Sequence, residues 1–358
     1  MSENNELIEQ VRTSLGKIPD PETGRELKKQ ILSVASDGDA INVSVGLTSF
    51  AAVIRDEFKS KVESTLAADF NDQNFNVSIE DFERAPQPLG TVGLKAKAVI
   101  AVAAGKGGVG KSTAATSLAI ALKRAGSSVG LLDADVYGPS IPQLTGVRGR
   151  CAAGQGEKIA PMDFDGIPLM SIGFMIPPGE AVIWRGPMLH SAVTTFVRNT
   201  DWGELDYLII DMPPGTGDIA LSLSQLLPLT GSVIVCTPQE VALIDAVKAV
   251  GMSRKVKIPV LGVIENMSSF ICPDCSKSYD IFGKGGAKEY AEQDGIPFLG
   301  EIPLNIGLRK RGDAGKMIDN FDDETVAPYL EKIAKQLVMT LADNAAANPT
   351  TPQLPVIG

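Results

Sequence analysis

Short apolar runs alternate with segments of helical spacing over most of the chain. The runs have the length and composition of buried strands, and they fall at residues 99–103, 128–132, 207–210, 232–236 and 260–264. Helical spacing is clearest over 112–125, directly after the first of them. Strands and helices that alternate in this way build a parallel sheet with helices on both faces, joined by right-handed crossovers. The pattern therefore predicts an α/β fold with a doubly wound, mostly parallel sheet.

Residues 1–83 have a different pattern and predict a small α+β domain of their own. Apolar residues recur at helical spacing near the start, and the prolines and glycine of 19–24 then break the chain. A helix over 51–66 and a strand over 75–79 are expected further on. Between them and the break lies a half-buried strand, because strict alternation places one set of residues on a single face. That set is Ile41, Val43, Val45 and Leu47.

Composition marks the boundaries of the expected domains. Residues 84–97 contain two prolines and two glycines, which is typical of a linker. A last helix is expected from about 324 to 342, and the polar, proline-containing sequence after it cannot bury a core. The predicted organisation is a small domain over 1–83, a linker over 84–97, an α/β domain over 98–342 and a disordered tail over 343–358.

Residues 105–113 match the phosphate-binding pattern G-x-x-x-x-G-K-[ST], and they lie between a predicted strand and a predicted helix. Backbone N–H groups of a glycine-rich loop can surround phosphate oxygens, and the helix start adds a favourable dipole. We expect Lys111 to reach the β- and γ-phosphates of ATP and the Ser112 hydroxyl to bind Mg²⁺. The predicted nucleotide-binding residues of the loop are Gly105, Lys106, Gly107, Gly108, Val109, Gly110, Lys111, Ser112 and Thr113.

Carboxylates follow two of the apolar runs. Asp133 and Asp135 come after 128–132, and Asp211 follows 207–210, at the edge where doubly wound sheets bind their ligands. Asp211 has the position of a Walker B aspartate, and residues 212–218 after it form a non-helical loop suited to sensing a γ-phosphate. Asp133 and Asp135 have the alternative interpretation of turn residues. Asp135 and Asp211 are nevertheless our candidate catalytic carboxylates, together with Lys111.

A C-x-x-C motif formed by Cys272 and Cys275 is the second candidate site. Two thiolates at this spacing can bind one soft metal centre, but a four-cysteine site needs two more. Cys236 lies in an apolar run and is expected in the core, and Cys151 stands alone. Two copies related by a two-fold axis would supply four thiolates, which suit a bridging [4Fe-4S] cluster or Zn²⁺. A structural zinc clip and a redox-active cysteine pair are further alternatives.

Charge and composition narrow the function classes. The 358 residues carry a formal net charge of −10, which argues against nucleic-acid binding because nucleic-acid-binding proteins present a basic surface. No run approaches the roughly 20 apolar residues that span a bilayer, and no apolar N-terminal segment follows a basic start. We expect a cytoplasmic protein with no membrane and no nucleic-acid partner, in which the four cysteines are reduced.

The string KGGVGKST at 106–113 resembles the deviant Walker A motif. Followed in order by DADVYGPS, WRGP, DMPPGTGD, ENMS and CPDC, it gives residues 95–335 a resemblance to the Mrp/ApbC-type iron-sulfur cluster carrier ATPases. The resemblance implies a homodimeric ATPase that holds a labile cluster at its interface and passes it to apo-proteins. It also implies that Lys106 acts on the nucleotide of the partner subunit, that Asp135 positions or deprotonates the attacking water, and that Asn266 binds adenine.

The N-terminal domain, with its DPETG turn, resembles a small domain associated with iron-sulfur assembly ATPases. Members of that group often carry a cysteine in the loop after the alternating strand, where this chain reads Thr48-Ser49-Phe50-Ala51-Ala52. We therefore assign no metal or thiol role to this domain and interpret it as an interaction module.

Two other ATPase classes are alternatives to the cluster carrier. A positioning ATPase of the septum-site or partition type shares the loop and would use the C-x-x-C as a structural zinc site. Such proteins bind membranes or DNA through basic segments, whereas the C-terminal residues here are uncharged. A nitrogenase-reductase-like electron donor bridges a cluster between subunits with cysteines that lie far apart in sequence. The C-x-x-C and the uncharged tail favour the cluster carrier.

Overall fold

The computed structural model describes most of the chain and divides it into two compact units. The described residues are 2–38, 40–152, 158–175, 186–215, 221, 225–226, 228–272, 274–275 and 277–350. The first unit comprises residues up to 84 together with those from 338 onward, and the second comprises 85–337. No helix in the described part of the chain is both long enough and apolar enough to cross a lipid bilayer.

The first unit is a three-stranded sheet with two helices. Its elements are α1 (Ser2–Gly16), β1 (Ile31–Asp37), β2 (Ala40–Leu47), a 3₁₀ helix (Ser49–Ile54), α2 (Arg55–Asp69) and β3 (Asn74–Asp81). The strand order is β1-β2-β3, with β1 antiparallel and β3 parallel to β2. The four alternating residues of β2 are buried as its pattern predicts. The helix predicted from residue 51 begins instead with the 3₁₀ segment, inside which Ala51 has non-helical dihedral angles.

The end of the chain also belongs to the first unit. Gly24, in the DPETG turn, has φ +70°, and a Cβ there would lie 1.8 Å from the carbonyl oxygen of Ala345. The Thr350 N–H donates to the Thr23 carbonyl (3.0 Å), and Arg25 Nε donates to the Thr350 carbonyl (2.6 Å). The last helix runs to residue 347, so the first part of the predicted tail 343–358 is helical, while 351–358 lie outside the described residues. Composition did not indicate these contacts because backbone atoms make most of them.

The second unit contains the remaining strands and helices. Its strands are β4 (Pro88–Leu89), β5 (Leu94–Ala103), β6 (Val129–Asp133), β7 (Met162–Phe164), β8 (Ile167–Ser171), β9 (Leu205–Asp211), β10 (Gly231–Cys236), β11 (Val260–Ile271), β12 (Ser278–Tyr279) and β13 (Phe298–Leu304). Its α-helices are α3 (Lys111–Arg124), α4 (Ile141–Thr145), α5 (Gly186–Asn199), α6 (Glu240–Lys255), α7 (Gly286–Gln293), α8 (Ile306–Asp313) and α9 (Ala327–Ala347), whose end reaches into the first unit. Short 3₁₀ helices lie at Ile172–Phe174 and Met317–Asp322.

The described strands of the second unit form one ten-stranded sheet. Its order is β12-β11-β10-β5-β9-β6-β8-β7, with β13 beside β11 and β4 beside β5. All pairs are parallel except β4/β5, β7/β8 and β11/β12. Helix α5 packs with one buried cluster, and α6 and α7 pack with another. The predicted α/β fold with a doubly wound, mostly parallel sheet is therefore confirmed.

Two strands are longer than the apolar runs that predicted them. Strand β5 begins at Leu94, within the predicted linker 84–97. The sequence did not indicate this because two of its first residues are charged, Lys95 and Lys97. Both lysines form ion pairs, Lys95 with Glu204 (2.8 Å) and Lys97 with Asp206 (2.9 Å). Strand β11 runs on from 264 to Ile271. Asn266 therefore lies inside a strand and not in the turn after one.

Candidate nucleotide site and cysteine hairpin

The predicted phosphate loop connects β5 to α3 at the carboxyl edge of the sheet, next to the strands on both sides of β5. Gly110 precedes α3 in a left-handed conformation (φ +83°), and a Cβ there would lie 2.0 Å from Asn266 Nδ2. A Cβ on Gly105 would lie 2.0 Å from the Asp245 carbonyl oxygen, whereas Gly107 and Gly108 face open space. The outer glycines let the loop pack closely, and the inner ones leave its backbone accessible to phosphate.

Four of the predicted site residues meet beneath this loop. Lys111 Nζ lies 2.6 Å from Asp211 Oδ1 and 3.5 Å from Asp135 Oδ2. Ser112 Oγ donates a hydrogen bond to the other oxygen of Asp211 at 2.6 Å. Lys111, Asp135 and Asp211 are buried, and Ser112 is half-buried. The site thus joins the first turn of α3 to the ends of β6 and β9.

Burial dominates the electrostatics of Asp211. It raises the pKa of this carboxyl group, and the adjacent Lys111 ammonium and Ser112 hydroxyl act in the opposite direction. Lys111 is therefore the counter-ion of Asp211 in this state. The contact of Lys111 with the phosphates of a nucleotide stays a prediction.

Asp133 connects this site to a residue that the sequence did not suggest. Its Oδ2 accepts a hydrogen bond from Ser171 Oγ (2.9 Å), and its Oδ1 accepts one from the Asp135 N–H (3.2 Å). Burial raises the pKa of Asp133 well above its ordinary value, and the neighbouring Asp211 adds to this effect. Ser171 also accepts a bond from the Gly173 N–H (3.1 Å), so its hydroxyl orients Asp133 and ends β8. Its only sequence signal is a polar residue at the end of an apolar run.

Lys106 and Thr113 differ from the other loop residues in their surroundings. Lys106 is half-buried, and no hydrogen bond or ion pair joins its ammonium group to another described residue. Thr113 is half-buried in the first turn of α3. The action of Lys106 on the nucleotide of a partner subunit stays a prediction.

Asn266 lies beneath the loop with its side chain buried. Its Nδ2 donates to the Val109 carbonyl at 2.8 Å, and its Oδ1 accepts from the Met267 N–H at 3.0 Å. In this state the carboxamide holds the phosphate loop in place. The contact with adenine expected for Asn266 stays a prediction.

Cys272 and Cys275 lie at the tip of a β-hairpin. Strands β11 and β12 pair through Phe270 and Ile271 with Tyr279 and Ser278, and the Cys272 N–H donates to the Lys277 carbonyl at 2.9 Å. The Cys275 side chain is exposed and that of Cys272 is half-buried. No group of three or more histidine, cysteine or acidic side chains that could hold a metal occurs among the described residues.

The electrostatics of the hairpin favour a thiolate at Cys272. The backbone N–H groups of Asp274 and Cys275, together with the Cys275 thiol, lower the pKa of the Cys272 thiol. A thiolate is the form that binds soft metals. The tip therefore carries two thiols three residues apart, of which that of Cys275 is exposed.

Two buried side chains, the Cys236 thiol and the Glu265 carboxylate, lie on β10 and on β11, the strand that leads into the hairpin. Burial, and next to it the charge of Glu265, raises the pKa of Cys236 to about 12, which agrees with its expected place in the core. The Glu265 carboxylate accepts hydrogen bonds from the N–H groups of Gly285 (3.1 Å) and Ala287 (2.9 Å) at the start of α7. Sequence reasoning did not identify Glu265, because its partners lie about twenty residues further along the chain.

Part of the expected site lies outside the described residues. Residues 212–215 of the loop after Asp211 are described, and the Gly215 N–H donates to the Ala104 carbonyl at 3.1 Å. Residues 216–218 of that loop, residues 184–185 of the WRGP segment and the side chain of His190 are not described.

The phosphate loop is rich in glycine and connects a parallel strand to a helix, and a lysine and an aspartate lie beside it. This arrangement defines a P-loop NTPase. A family model described as the NUBPL iron-transfer P-loop NTPase of the ParA group matches residues 95–338. The chain belongs to this family of P-loop NTPases.

Similar proteins support the same assignment. A Deinococcus radiodurans protein called iron-sulfur cluster carrier protein is 43% identical over 348 residues, which cover 96% of this chain and 98% of that one. An Escherichia coli protein of the same name is 44% identical over 272 residues, 74% of this chain and 73% of that one. The structure of an Archaeoglobus fulgidus nucleotide-binding protein in complex with ADP has a TM-score of 0.56 and 41% identity, and covers 63% of this chain and 89% of that one. The cell-division ATPase MinD of Pyrococcus furiosus, with a TM-score of 0.50 and 21% identity over 67% of this chain and 97% of that one, shares the fold.

Proposed function

We propose that this protein is an ATP-hydrolysing iron-sulfur cluster carrier of the cytoplasm. Two copies would hold one [4Fe-4S] cluster between their Cys272 and Cys275 side chains and pass it to apo-proteins. The cluster is cargo in this proposal, and ATP is the substrate of the hydrolytic reaction. The similar proteins whose names describe cluster carriage support the proposal.

The observation that carries the proposal is the pair of thiols at the tip of the β11–β12 hairpin, one exposed and one half-buried. A [4Fe-4S] cluster takes four thiolates, and each copy offers two at this tip. Isologous pairing of two tips would complete the ligand set with one kind of surface. A reducing compartment keeps such thiols free of disulfides, in keeping with a cytoplasmic location.

The roles proposed for individual residues in ATP hydrolysis are those that the resemblance implies, and the contacts of Lys111 and Ser112 with Asp211 support them. Lys111 would leave Asp211 and bind the β- and γ-phosphates, while Asp135 would orient the attacking water and accept its proton. Lys106 of one copy would neutralise charge on the phosphoryl group held by the other. Asn266 would contribute to adenine binding.

Mg²⁺ fits the oxygen ligands at the base of the loop. The Ser112 hydroxyl and the Asp211 carboxylate lie 2.6 Å apart, and both are hard oxygen donors of the kind that Mg²⁺ prefers. When bound there, Mg²⁺ would neutralise charge on the phosphates.

The test is the metal content of anaerobically purified protein. The parental chain should contain about two irons and two sulfides per copy and show visible absorption, because one four-iron cluster serves two copies. Cys272→Ser and Cys275→Ser should each lose the iron and keep nucleotide affinity, since a hard hydroxyl replaces a soft thiolate. Cys151→Ser is the matched control and should keep both.

Other metal contents would contradict the proposal. Stoichiometric zinc without sulfide would indicate a structural zinc clip and favour a positioning ATPase. A monomer that carries a full cluster would contradict sharing between copies, which sedimentation of the loaded protein would reveal.

The first unit would serve as an interaction module of the carrier. Its alternating strand is followed by Thr48 and the 3₁₀ helix Ser49–Ile54, which offer no thiol. We therefore propose that the domain over 1–83 contacts other proteins and holds no metal.

A further inference from the structure

Strand β11 holds the phosphate loop and the cysteine hairpin by two consecutive side chains. Asn266 donates to the Val109 carbonyl in the loop at 2.8 Å. Glu265 accepts from the Gly285 and Ala287 N–H groups, where the chain that returns from the hairpin enters α7. Neighbouring residues of a strand point to opposite faces, so these two consecutive side chains can contact the phosphate loop and the start of α7 separately.

The hydrogen bonds of Glu265 hold the segment that follows the hairpin at the point where it enters α7. The carboxylate is fully buried, and both of its oxygens accept a backbone hydrogen bond. These N–H groups lie at the start of α7, where a helix leaves its first N–H groups without partners inside the helix. The outgoing end of the hairpin is β11 itself, which reaches Cys272 six residues after Asn266. Both ends of the thiol-bearing segment therefore depend on this strand.

The strand is irregular between Asn266 and the cysteines. Its pairing with β13 shifts register between Asn266 and Phe270. Met267, inside this stretch, has a left-handed conformation (φ +58°), which is unfavourable for a residue with a long side chain. The geometry of 267–269 is thus imposed by surrounding contacts, and a change at Asn266 alters one of them.

We propose that Glu265 and Asn266 are positioning residues that transmit nucleotide occupancy from the phosphate loop to Cys272 and Cys275. A nucleotide must draw Lys111 from Asp211 and rearrange the loop whose Val109 carbonyl binds Asn266. The backbone of β11 then changes conformation at Met267. The hydrogen bonds of Glu265 pass this change to the segment that follows the hairpin and enters α7. The coupling makes cluster release responsive to ATP, and in that respect it rests on the proposed function.

The experiment measures thiol alkylation in metal-free, full-length protein, with and without MgATP or ADP. Mass spectrometry of the peptides follows Cys272 and Cys275, and Cys151 is the internal reference. In the parental chain, nucleotide should change the alkylation rate of the hairpin thiols at least about threefold and leave Cys151 unchanged, because the hairpin continues from β11 whereas Cys151 lies beside Met170 of β8.

Glu265→Gln keeps the shape of the side chain but replaces one acceptor oxygen with an NH₂ group. It should keep nucleotide affinity within about twofold and lose the nucleotide effect on the hairpin thiols, since one of the two anchoring bonds is removed. Glu301→Gln is the matched control, on the neighbouring strand directly beside Glu265. It should retain the parental effect.

A second variant covers the case in which Glu265→Gln does not fold. Met267→Gly keeps both anchors but relaxes the positive-φ position between them, and it should reduce the nucleotide effect while nucleotide still binds. Hairpin thiols that ignore nucleotide in the parental chain, or a folded variant of Glu265 or Met267 that keeps the full effect, would overturn the proposal.

Iron and sulfide content separates the two proposals. Protein that binds a cluster but has nucleotide-insensitive thiols contradicts the coupling alone. Protein whose thiols respond to nucleotide but which binds no cluster contradicts the carrier function and leaves the coupling in place.

Discussion

The phosphate loop and the cysteine hairpin differ in how far their side chains find partners within a single copy. Beneath the loop, Lys111, Ser112 and Asp211 satisfy one another within a single copy at distances of 2.6 Å. At the hairpin, backbone bonds define the tip while the Cys275 thiol is exposed and Cys272 is half-buried. The described polar side chains beneath the loop therefore find partners within one copy, whereas the hairpin exposes a thiol. Under the proposed function, association of two copies would matter more to the cluster than to nucleotide binding.

The two lysines of the loop give the largest expected effects. Lys106→Ala should lower ATP turnover by about 10³-fold with little change in nucleotide affinity, because cationic groups supplied in trans act on the transition state. Lys111→Ala should instead lower nucleotide affinity by about 100-fold, since a charged hydrogen bond to phosphate is lost. Steady-state kinetics and titration with a fluorescent nucleotide measure both quantities.

Lys123→Ala, at the far end of α3, is the control for these substitutions and should leave turnover and affinity unchanged. Parental turnover in Lys106→Ala would show that this lysine does not act in trans and would make the nucleotide site self-sufficient.

The glycines of the loop should give intermediate effects of two kinds. Gly110→Ala should lower the free energy of unfolding by at least about 1–2 kcal/mol, because the left-handed conformation disfavours a side chain and a Cβ would collide with Asn266 Nδ2. Gly107→Ala meets open space and should leave thermal stability unchanged while weakening nucleotide binding, because its methyl group lies where phosphate approaches. Thermal melts without nucleotide distinguish the two, and equal destabilisation would contradict the assignment of packing and access.

The smallest expected effect concerns the buried thiol of Cys236. Its pKa of about 12, against an ordinary value of 9.0, leaves it protonated and unreactive in the folded protein at pH 8.5. Because the folded-state pKa is the higher one, stability from this thiol is present below pH 9 and is lost as pH rises toward 12. Alkylation in the metal-free protein should therefore reach the hairpin thiols of Cys272 and Cys275 first and Cys236 only after unfolding. Rapid labelling of Cys236 in the native state would show that the strands beside the hairpin open.

The phosphate loop could be predicted from sequence because its residues are contiguous and its chemistry is local. Asp135 and Asp211 could be placed because each follows an apolar run that ends at the same edge of the sheet. Ser171 and Glu265 could not, since their importance depends on strand order and on partners remote in sequence. A sequence pattern identifies a serine or a glutamate but not the carboxylate or the helix start that lies opposite it.

The boundaries that sequence misplaced share a physical cause. Charged residues on one face of β5 hid its alternation, and β11 continues past its apolar run through Glu265 and Asn266, which are buried in spite of their polarity. At the other end of the chain, backbone hydrogen bonds around Thr350 order residues whose side chains gave no such signal. Apolar periodicity detects burial of apolar groups and misses burial that polar pairing makes possible.

Because the end of helix α9 belongs to the first unit, that unit is assembled from segments that are translated at different times. The unit is discontinuous, because Gly24 and Thr23 pack against residues 345–350, which are translated after the whole P-loop unit. Residues up to 84 are translated before the NTPase unit but lack this support until residues 345–350 have been made. We therefore expect this unit to reach its final packing after the NTPase unit, although it precedes that unit in the chain. A chain that ends prematurely near residue 337 would retain the predicted nucleotide-binding residues and leave this unit without the contacts of residues 345–350.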